Sequence, residues 1–255
     1  MKKYVYPQLP AYWLTHFARI GGSGLGNCLF VYAKAIMEAH KQNLKVIAPV
    51  WFNLSLGTYI RREKDKRHYI GLMCHKDEIS GLRKLFILTF GKREICYVHG
   101  IYDFFKPLLS DHAYISNYIC NHINAKLLKE VNAYSFQNCI ALHIRLGDFS
   151  ATRRVPMWWF LEKIQNVGSE KNILLFSDGE AKELEEILRN KNVKSVFFGN
   201  ALADMIAMSR CEYIIGSDSS FSAWAAYLGQ VPCCFYRLQY GRILLDETKQ
   251  IVENE

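Results

Sequence analysis

Short runs of continuous apolar residues alternate with longer stretches in which apolar positions recur every three or four residues, most clearly in the second half of the chain. Cys139-Ile140-Ala141-Leu142-His143-Ile144 reads as a buried strand and Met157 to Val167 as a helix. Asn172 to Phe176 reads as a strand, Glu180 to Asn190 as a helix, and Val193 to Phe198 as a strand. Ala201 to Ser209 (helix), Cys211 to Ile215 (strand) and Phe221 to Leu228 (helix) complete the series. Such alternation predicts a parallel sheet wrapped by helices on both faces. The N-terminal part opens similarly. Phe17 to Ile20 reads as a strand, Gly21 to Gly26 as a turn, and the next stretch as an amphipathic helix with Leu29, Phe30, Ala33, Ile36 and Met37 on its apolar stripe and Asn27 as its cap. Leu44 to Ala48 follows as a strand stopped by Pro49, which completes a βαβ opening. From Trp51 to Asn138 the pattern is weaker, giving only a strand over Glu94 to Val98 and a helix over Ile115 to Val131. The polar stretch Asn132 to Asn138 sets the expected boundary between an N-terminal domain, 1–135, and a C-terminal domain, 136–255.

Composition narrows the class. Half of the 255 residues are hydrophobic and 22% are charged, the balance of a folded globular protein. No stretch is long and apolar enough to span a bilayer, and Met1 to Pro7 meets a proline before any apolar core forms, so neither a signal peptide nor an anchor is expected. The eight cysteines are scattered without a CxxC pair, and Cys233-Cys234 are adjacent, which suits buried, reduced thiols in a cytoplasm better than metal ligation. The net charge of +8 draws the protein to something negative. The densest basic run, Arg61-Arg62-Glu63-Lys64-Asp65-Lys66-Arg67 between Tyr59 and Tyr69, reads either as a solvated segment or as a patch facing an anionic membrane or acceptor. No nucleic-acid-reading signature accompanies the charge, so nucleic acid is not an expected partner.

Four segments after predicted strands carry the chemistry. Gly21-Gly22-Ser23-Gly24-Leu25-Gly26 lets backbone approach a phosphate or sugar before a helix N-terminus, or simply makes a tight turn; it is neither GxGxxG nor a phosphate loop. In Leu142-His143-Ile144-Arg145-Leu146-Gly147-Asp148, Arg145 suits a bidentate clamp on phosphate, with a structural bridge to Asp148 as the alternative. Phe176-Ser177-Asp178-Gly179-Glu180 offers Asp178 either as a helix cap or as an acceptor for a nucleobase or ribose. Gly216-Ser217-Asp218-Ser219-Ser220-Phe221-Ser222 puts hydroxyls and amides at a helix start, a phosphate cradle or an ordinary cap.

In this order the segments resemble the α-1,2-fucosyltransferase family, glycosyltransferase family 11-like members of the GT-B fucosyltransferases. The family's GGLGNQMFQYA-like opening is matched by Ser23 to Ala33, its HxRRGD by His143 to Asp148, its FSDD by Phe176 to Gly179 and its SSFSWWAA by Ser219 to Ala226. Asp204 to Cys211 looks like its aspartate-led helix, and Gly100 to Phe105 echoes its GYFQ segment. The sequence departs at Ser23, Cys28, Leu146, Gly179 and Ala223; Leu146 takes the place of a second arginine, leaving Arg145 alone in that role.

The resemblance implies an α/β, GT-B-like fold with two Rossmann-like domains facing across a cleft, the first on the acceptor side and the second binding the nucleotide sugar. It implies an inverting, metal-independent transferase that moves fucose from GDP-fucose to a glycan hydroxyl in bacterial surface polysaccharide synthesis, with no cofactor beyond the donor substrate. A different nucleotide sugar, or a non-catalytic binding protein on the same scaffold, is the alternative. Gly24, Gly26, Asn27, Arg145, Asp178, Ser219, Ser220 and Phe221 are the expected donor-binding residues, with Asp178 at the nucleoside. No DxD motif is present to hold a metal, so Arg145 and helix amides carry the leaving diphosphate. The base is Asp148, His143 or Asp103. The expected partners are an oligosaccharide or lipid-linked glycan acceptor and the inner face of an anionic membrane.

Overall fold

The computed structural model describes residues 2–60, 66–147 and 149–236, with the backbone of 244–245 and 251–252. The chain divides into two compact units, one holding the described residues up to Ile60 together with Lys66–Lys126, the other beginning at Leu127. The division falls before the polar stretch 132–138.

In the first unit, β1 (Tyr4–Pro7) is followed by β2 (Trp13–Leu14), β3 (Arg19–Ile20), α1 (Leu25–Gln42), β4 (Lys45–Val46), β5 (Asn53–Leu54), α2 (Leu56–Ile60), α3 (Gly81–Phe90), β6 (Ile95–Val98) and α4 (His112–His122). A three-stranded parallel sheet runs in the order β4-β1-β6. Ile47 extends its edge by a parallel bridge to Ile79. The strand that feeds α1 in this sheet is therefore β1, whereas the expected opening strand, 17–20, supplies only β3 of a second small sheet, β2-β3-β5. Tyr4–Pro7 is short and closed by a proline, but Pro7 lies at the strand end, where its missing N–H costs nothing.

The small sheet is unusual in what each face carries. Trp13 pairs with Ile20 and Ile20 with Leu54, an apolar row across one face, and all three are exposed. Arg19 and Asn53, paired one step away, are buried. The Arg19 guanidinium donates to the carbonyls of Val50 (2.8 Å), Pro10 (2.8 Å) and Trp51 (3.4 Å).

Helix α1 starts at Gly24, whose backbone is extended, rather than at the expected cap Asn27, which lies in the first turn. Gly21 and Gly22 have φ of +64° and +91°, so these two glycines serve the turn itself. The predicted helix 115–131 breaks at Ile123, because Met73 bridges Ile123 and the Asn124 amide donates to the Leu72 carbonyl.

The second unit holds α5 (Lys129–Ala133), β7 (Cys139–Ile144), α6 (Met157–Gln165), β8 (Asn172–Ser177), α7 (Glu185–Leu188), β9 (Val193–Ser195), α8 (Ala201–Met208), β10 (Tyr213–Gly216), α9 (Ser220–Gly229) and β11 (Cys233–Phe235), then an antiparallel pair, β12 (Leu244–Leu245) and β13 (Ile251–Val252). Its five-stranded sheet has the order β11-β10-β7-β8-β9 with every pairing parallel. All six residues of β7 are buried, as a central strand of such a sheet requires. Leu142, Ile144, Phe160, Ile173, Leu175 and Ile187 form the heart of the core on one face. The helix expected over 180–190 shrinks to a single turn. Glu183 accepts from its neighbour Glu180's amide at 2.9 Å and pairs with Arg154 at 2.7 Å, which draws the segment into turns instead. The eight cysteines are all free, four of them buried and Cys120 exposed.

Candidate active site

In the second unit the chain runs from β7 outward to β8 and β9, then returns to place β10 on the other side of β7. The β7/β10 boundary is thus the topological switch point, where open α/β sheets leave a crevice beyond the carboxyl ends of their strands. His143 is the penultimate residue of β7, Arg145 directly follows the strand, and Ser217 directly follows β10. The sequence segments singled out at 143–148 and 216–222 meet at this point. The Arg145 amide donates to Ser217 Oγ at 2.9 Å, and the Ser217 amide to the His143 carbonyl at 2.9 Å.

Asp178, at the end of β8, completes the arrangement. Its Oδ1 accepts from the amides of Leu146 (2.8 Å) and Gly147 (3.0 Å), and its Oδ2 forms an ion pair with the Arg145 guanidinium. Gly147 is required here: an added Cβ would lie 2.5 Å from Asp178 Oδ2. Burial pushes the Asp178 carboxyl up, but Arg145 and the two amides outweigh it and the net shift is downward, so the carboxylate is ionised. Asp178 is turned toward its own loop and pairs with Arg145, and Asp148, the partner expected in the structural alternative, lies outside the described residues. Arg145 also sits 5.8 Å over the Phe149 ring, and its side chain keeps 20% of its exposure.

His143 is 4% exposed, packs 5.3 Å from the Phe221 ring, and among the described residues its Nδ1 has no hydrogen-bond partner. Burial, with Arg145 beside it and against the pull of Asp178, brings its pKa down to about 4. The imidazole is therefore neutral and enclosed at neutral pH, and its low basicity makes it a weak proton acceptor. At the start of α9, Ser219 is the cap, and its hydroxyl accepts from the Phe221 amide at 3.3 Å. The amide expected to contact phosphate is thus engaged by the serine expected beside it. No acidic residue occupies the first turn of α9, and Ser220 is its first residue. Ser222 turns inward, donating to the carbonyls of Ser217 (3.2 Å) and Ser219 (3.3 Å).

The remaining expected residues belong to the first unit. Gly24 and Gly26 lie at the start of α1, but the Leu25 amide between them donates to Tyr69 Oη at 2.9 Å, and Asn27 is half-buried. Asp103 is exposed and, with Phe104, has positive φ (54° and 35°) in the loop after β6; this is backbone strain of the kind found at working sites. Of the basic run, Lys66 and Arg67 are described and half-buried, and 61–65 lie outside the described residues. Sequence reasoning missed the anchoring role of Ser217, although it stood inside the quoted segment, because a hydroxyl's partner across a sheet is not visible along the chain.

A parallel sheet with a charged clamp at its switch point, beside a helix N-terminus, defines an open α/β protein of the doubly wound kind. Residues 25–232 match the profile of glycosyl transferase family 11, and the chain belongs to that family. Among curated proteins none matches the sequence. Similar solved structures include NodZ α-1,6-fucosyltransferase co-crystallised with GDP (TM-score 0.58, 12% identity, covering 93% of this chain and 96% of that one). NodZ from Bradyrhizobium matches with a TM-score of 0.54 at 12% identity over 91% and 94% of the two chains. POFUT1 in complex with GDP-fucose matches with a TM-score of 0.53 at 12% identity over 92% and 98%. At this identity they establish the fold, which is GT-B-like.

Proposed function

We propose that the chain is an inverting fucosyltransferase that moves fucose from GDP-fucose to a glycan hydroxyl, with α-1,2 linkage, in bacterial surface polysaccharide synthesis. The observation that carries this reading is the Arg145 loop at the β7/β10 switch point, in a family 11 chain whose fold is shared with proteins solved with GDP and GDP-fucose. In the proposed reaction Arg145 meets the diphosphate and neutralises the charge that grows on it as the glycosidic bond breaks. Asp178 positions Arg145 by holding the amides of its loop, and Ser217 does so from β10. Ser219, Ser220 and the Phe221 amide contribute the dipole of α9, a 10-residue helix; on binding, the Phe221 amide exchanges its serine cap for a phosphate oxygen. Gly24, Gly26 and Asn27, in the first unit, which is taken as the acceptor-side domain, are the remaining proposed donor-binding residues. Asp148 is the proposed base, with Asp103 as the alternative. The sequence contains no DxD motif, so the reaction is proposed to need no metal.

The acceptor is an oligosaccharide or lipid-linked glycan, reached from the cytoplasmic face with peripheral contact to anionic lipid. Among the described residues no helix is long and apolar enough to cross a membrane.

The test is thermal denaturation with GDP, UDP, CMP and ADP, followed by donor turnover with and without EDTA. A ligand at about a hundred times its dissociation constant adds about 2.7 kcal/mol of stability. GDP is expected to give the largest shift, and turnover to survive EDTA. A larger shift with UDP would remove the fucosyl reading, and activity lost to EDTA but restored by Mn²⁺ would remove the metal-free scheme.

A further inference from the structure

The first unit contains a cavity of about 290 Å³ to which none of the sequence motifs points. It lies beyond the carboxyl end of β4, lined by Ala48 to Phe52 on one side and by the start of α3, just past the bridging residue Ile79, on the other. This is the edge at which parallel sheets take ligands. One wall is aromatic, with Phe17, Phe52 and Tyr69 beside Trp51.

The opposite wall is rich in donors and lacks a matching acceptor. Ser80 is the N-cap of the 10-residue helix α3, yet its hydroxyl caps nothing, and no acidic residue stands in the first turn. Lys84 lines the cavity half-buried, 5.6 Å from the Tyr6 ring, and among the described residues no carboxylate oxygen lies within 4 Å of its ammonium. On the aromatic side Trp51 is 5% exposed, and among the described residues its indole N–H has no acceptor. A buried donor left in this state costs stability unless something accepts from it. The nearby carboxylate, Glu78, is fully occupied. It accepts from Tyr32 Oη (2.7 Å) and Tyr118 Oη (3.4 Å), pairs with His75 Nδ1 (2.7 Å), and its side chain is wholly buried. A space lined by a helix N-terminus, a hydroxyl and an ammonium, with no acid among its described lining residues and the nearby Glu78 already engaged, is complementary to an anion.

We propose that this cavity binds an anionic sugar residue of the acceptor, its carboxylate or phosphate against Ser80 and Lys84 and its ring against Phe17 and Phe52. The inference rests on the reading of this unit as the acceptor side. Aromatic faces pack on the C–H faces of a pyranose, and the volume suits one such ring rather than an extended chain. Burial lowers the Lys84 ammonium to about 8 against a partial counter-pull from Glu78, so anion binding weakens as the solution passes from neutral to alkaline. The charged and titratable groups around it are Tyr6 from β1, Glu78 with His75 from the segment before α3, and His16 and Tyr69 in the lining of the same cavity.

The experiment titrates the full chain with galactose, galacturonate, galactose 6-phosphate and inorganic phosphate, read by calorimetry and tryptophan fluorescence. The two anionic sugars are expected to bind about tenfold more tightly than galactose, the factor that one charge-assisted hydrogen bond supplies. Which of the two binds better identifies the anion as carboxylate or phosphate. Lys84→Met should erase the advantage with melting temperature, galactose binding and GDP binding unchanged, and Lys84→Arg should retain most of it. Equal affinity for galactose and its anionic forms, or an advantage that survives Lys84→Met, overturns the proposal. Inorganic phosphate binding as tightly as the sugar ester also overturns it, since the cavity would then recognise a free anion. Fucose transfer measured in parallel separates the two readings: transfer to neutral glycans alone sinks this inference and spares the function, and Lys84-dependent binding of acidic sugars without any transfer does the reverse.

Discussion

The Asp178→Asn substitution tests the site with the least change in shape. Asparagine keeps an oxygen where Oδ1 accepts from Leu146 and Gly147, at 2.8 and 3.0 Å, but it removes the charge that faces Arg145. Hydrogen bonds to a charged group contribute about 1.5–3 kcal/mol and neutral ones about 0.5–1.5, so the two amides together lose about 2 kcal/mol. Breaking a buried ion pair costs about 3–5 kcal/mol. The two side chains retain 20% and 18% of their exposure, so water screens part of that cost, leaving roughly 1–2 kcal/mol from the pair. A total near 3 kcal/mol corresponds to a fall in melting temperature of about 6–12 °C. Because Asp178 acts through Arg145, GDP affinity should fall as well, and Asp178→Glu should not rescue it, since the longer chain cannot reach two adjacent amides from the same backbone. The assays are calorimetric melting and GDP titration on the folded fraction. A mutant that melts within a degree or two of the parent and binds GDP normally would show that the Asp178 clamp neither holds the loop nor serves the site.

Arg145→Ala should reduce turnover by about 10²–10³-fold, the usual loss of one preorganised transition-state donor, and Arg145→Lys should recover little because a point charge cannot replace a bidentate fork; unchanged turnover in the folded mutant would remove Arg145 from the mechanism. His143 has a folded pKa of about 4 against 6.5 unfolded, so the unfolded state binds the proton first and stability is lost as pH falls from 6.5 toward 4. The loss amounts to about 3 kcal/mol by linkage, and denaturant midpoints across that range should show a slope that flattens in His143→Phe. Charge reversal of Arg61, Arg62, Lys66 and Arg67 should abolish pelleting with anionic liposomes while leaving turnover on a soluble acceptor unchanged; unchanged pelleting would refute the membrane contact.

The second unit was readable from its sequence because its strands are buried on both faces, which makes continuous apolar runs such as Cys139–Ile144 unambiguous. The first unit was read less well for a specific reason. Its leading strand is four residues ending in proline, and β3 is defined by where a buried arginine finds carbonyls, not by apolar alternation. The helix at 115 was cut short by Leu72 and Met73, partners about fifty residues away that no local pattern announces. At the site, the segments at 143 and 216 were recognisable by composition, but the pairing of Arg145 with Asp178 depends on the adjacency of β7 and β8. The cavity beside Lys84 was invisible, since its lining comes from four separated stretches of the least patterned part of the chain.

The inverted faces of the small sheet bear on how the chain avoids misfolding. A one-residue slip of β3 would bury Ile20 and expose Arg19, and the hydrophobic effect on its own would favour that exchange. The native pairing wins because the guanidinium, once inside, finds the carbonyls of Pro10, Val50 and Trp51, acceptors that no slipped arrangement presents in that geometry. Arg19 therefore acts as a selector among competing folds more than as a source of stability, much as a single polar residue sets the partner choice of a coiled coil. An apolar replacement at this position would leave both pairings close in energy and turn one native basin into two. Since Val50 and Trp51 also wall the cavity, the same cation that rejects the slipped fold fixes the shape of the space beside it.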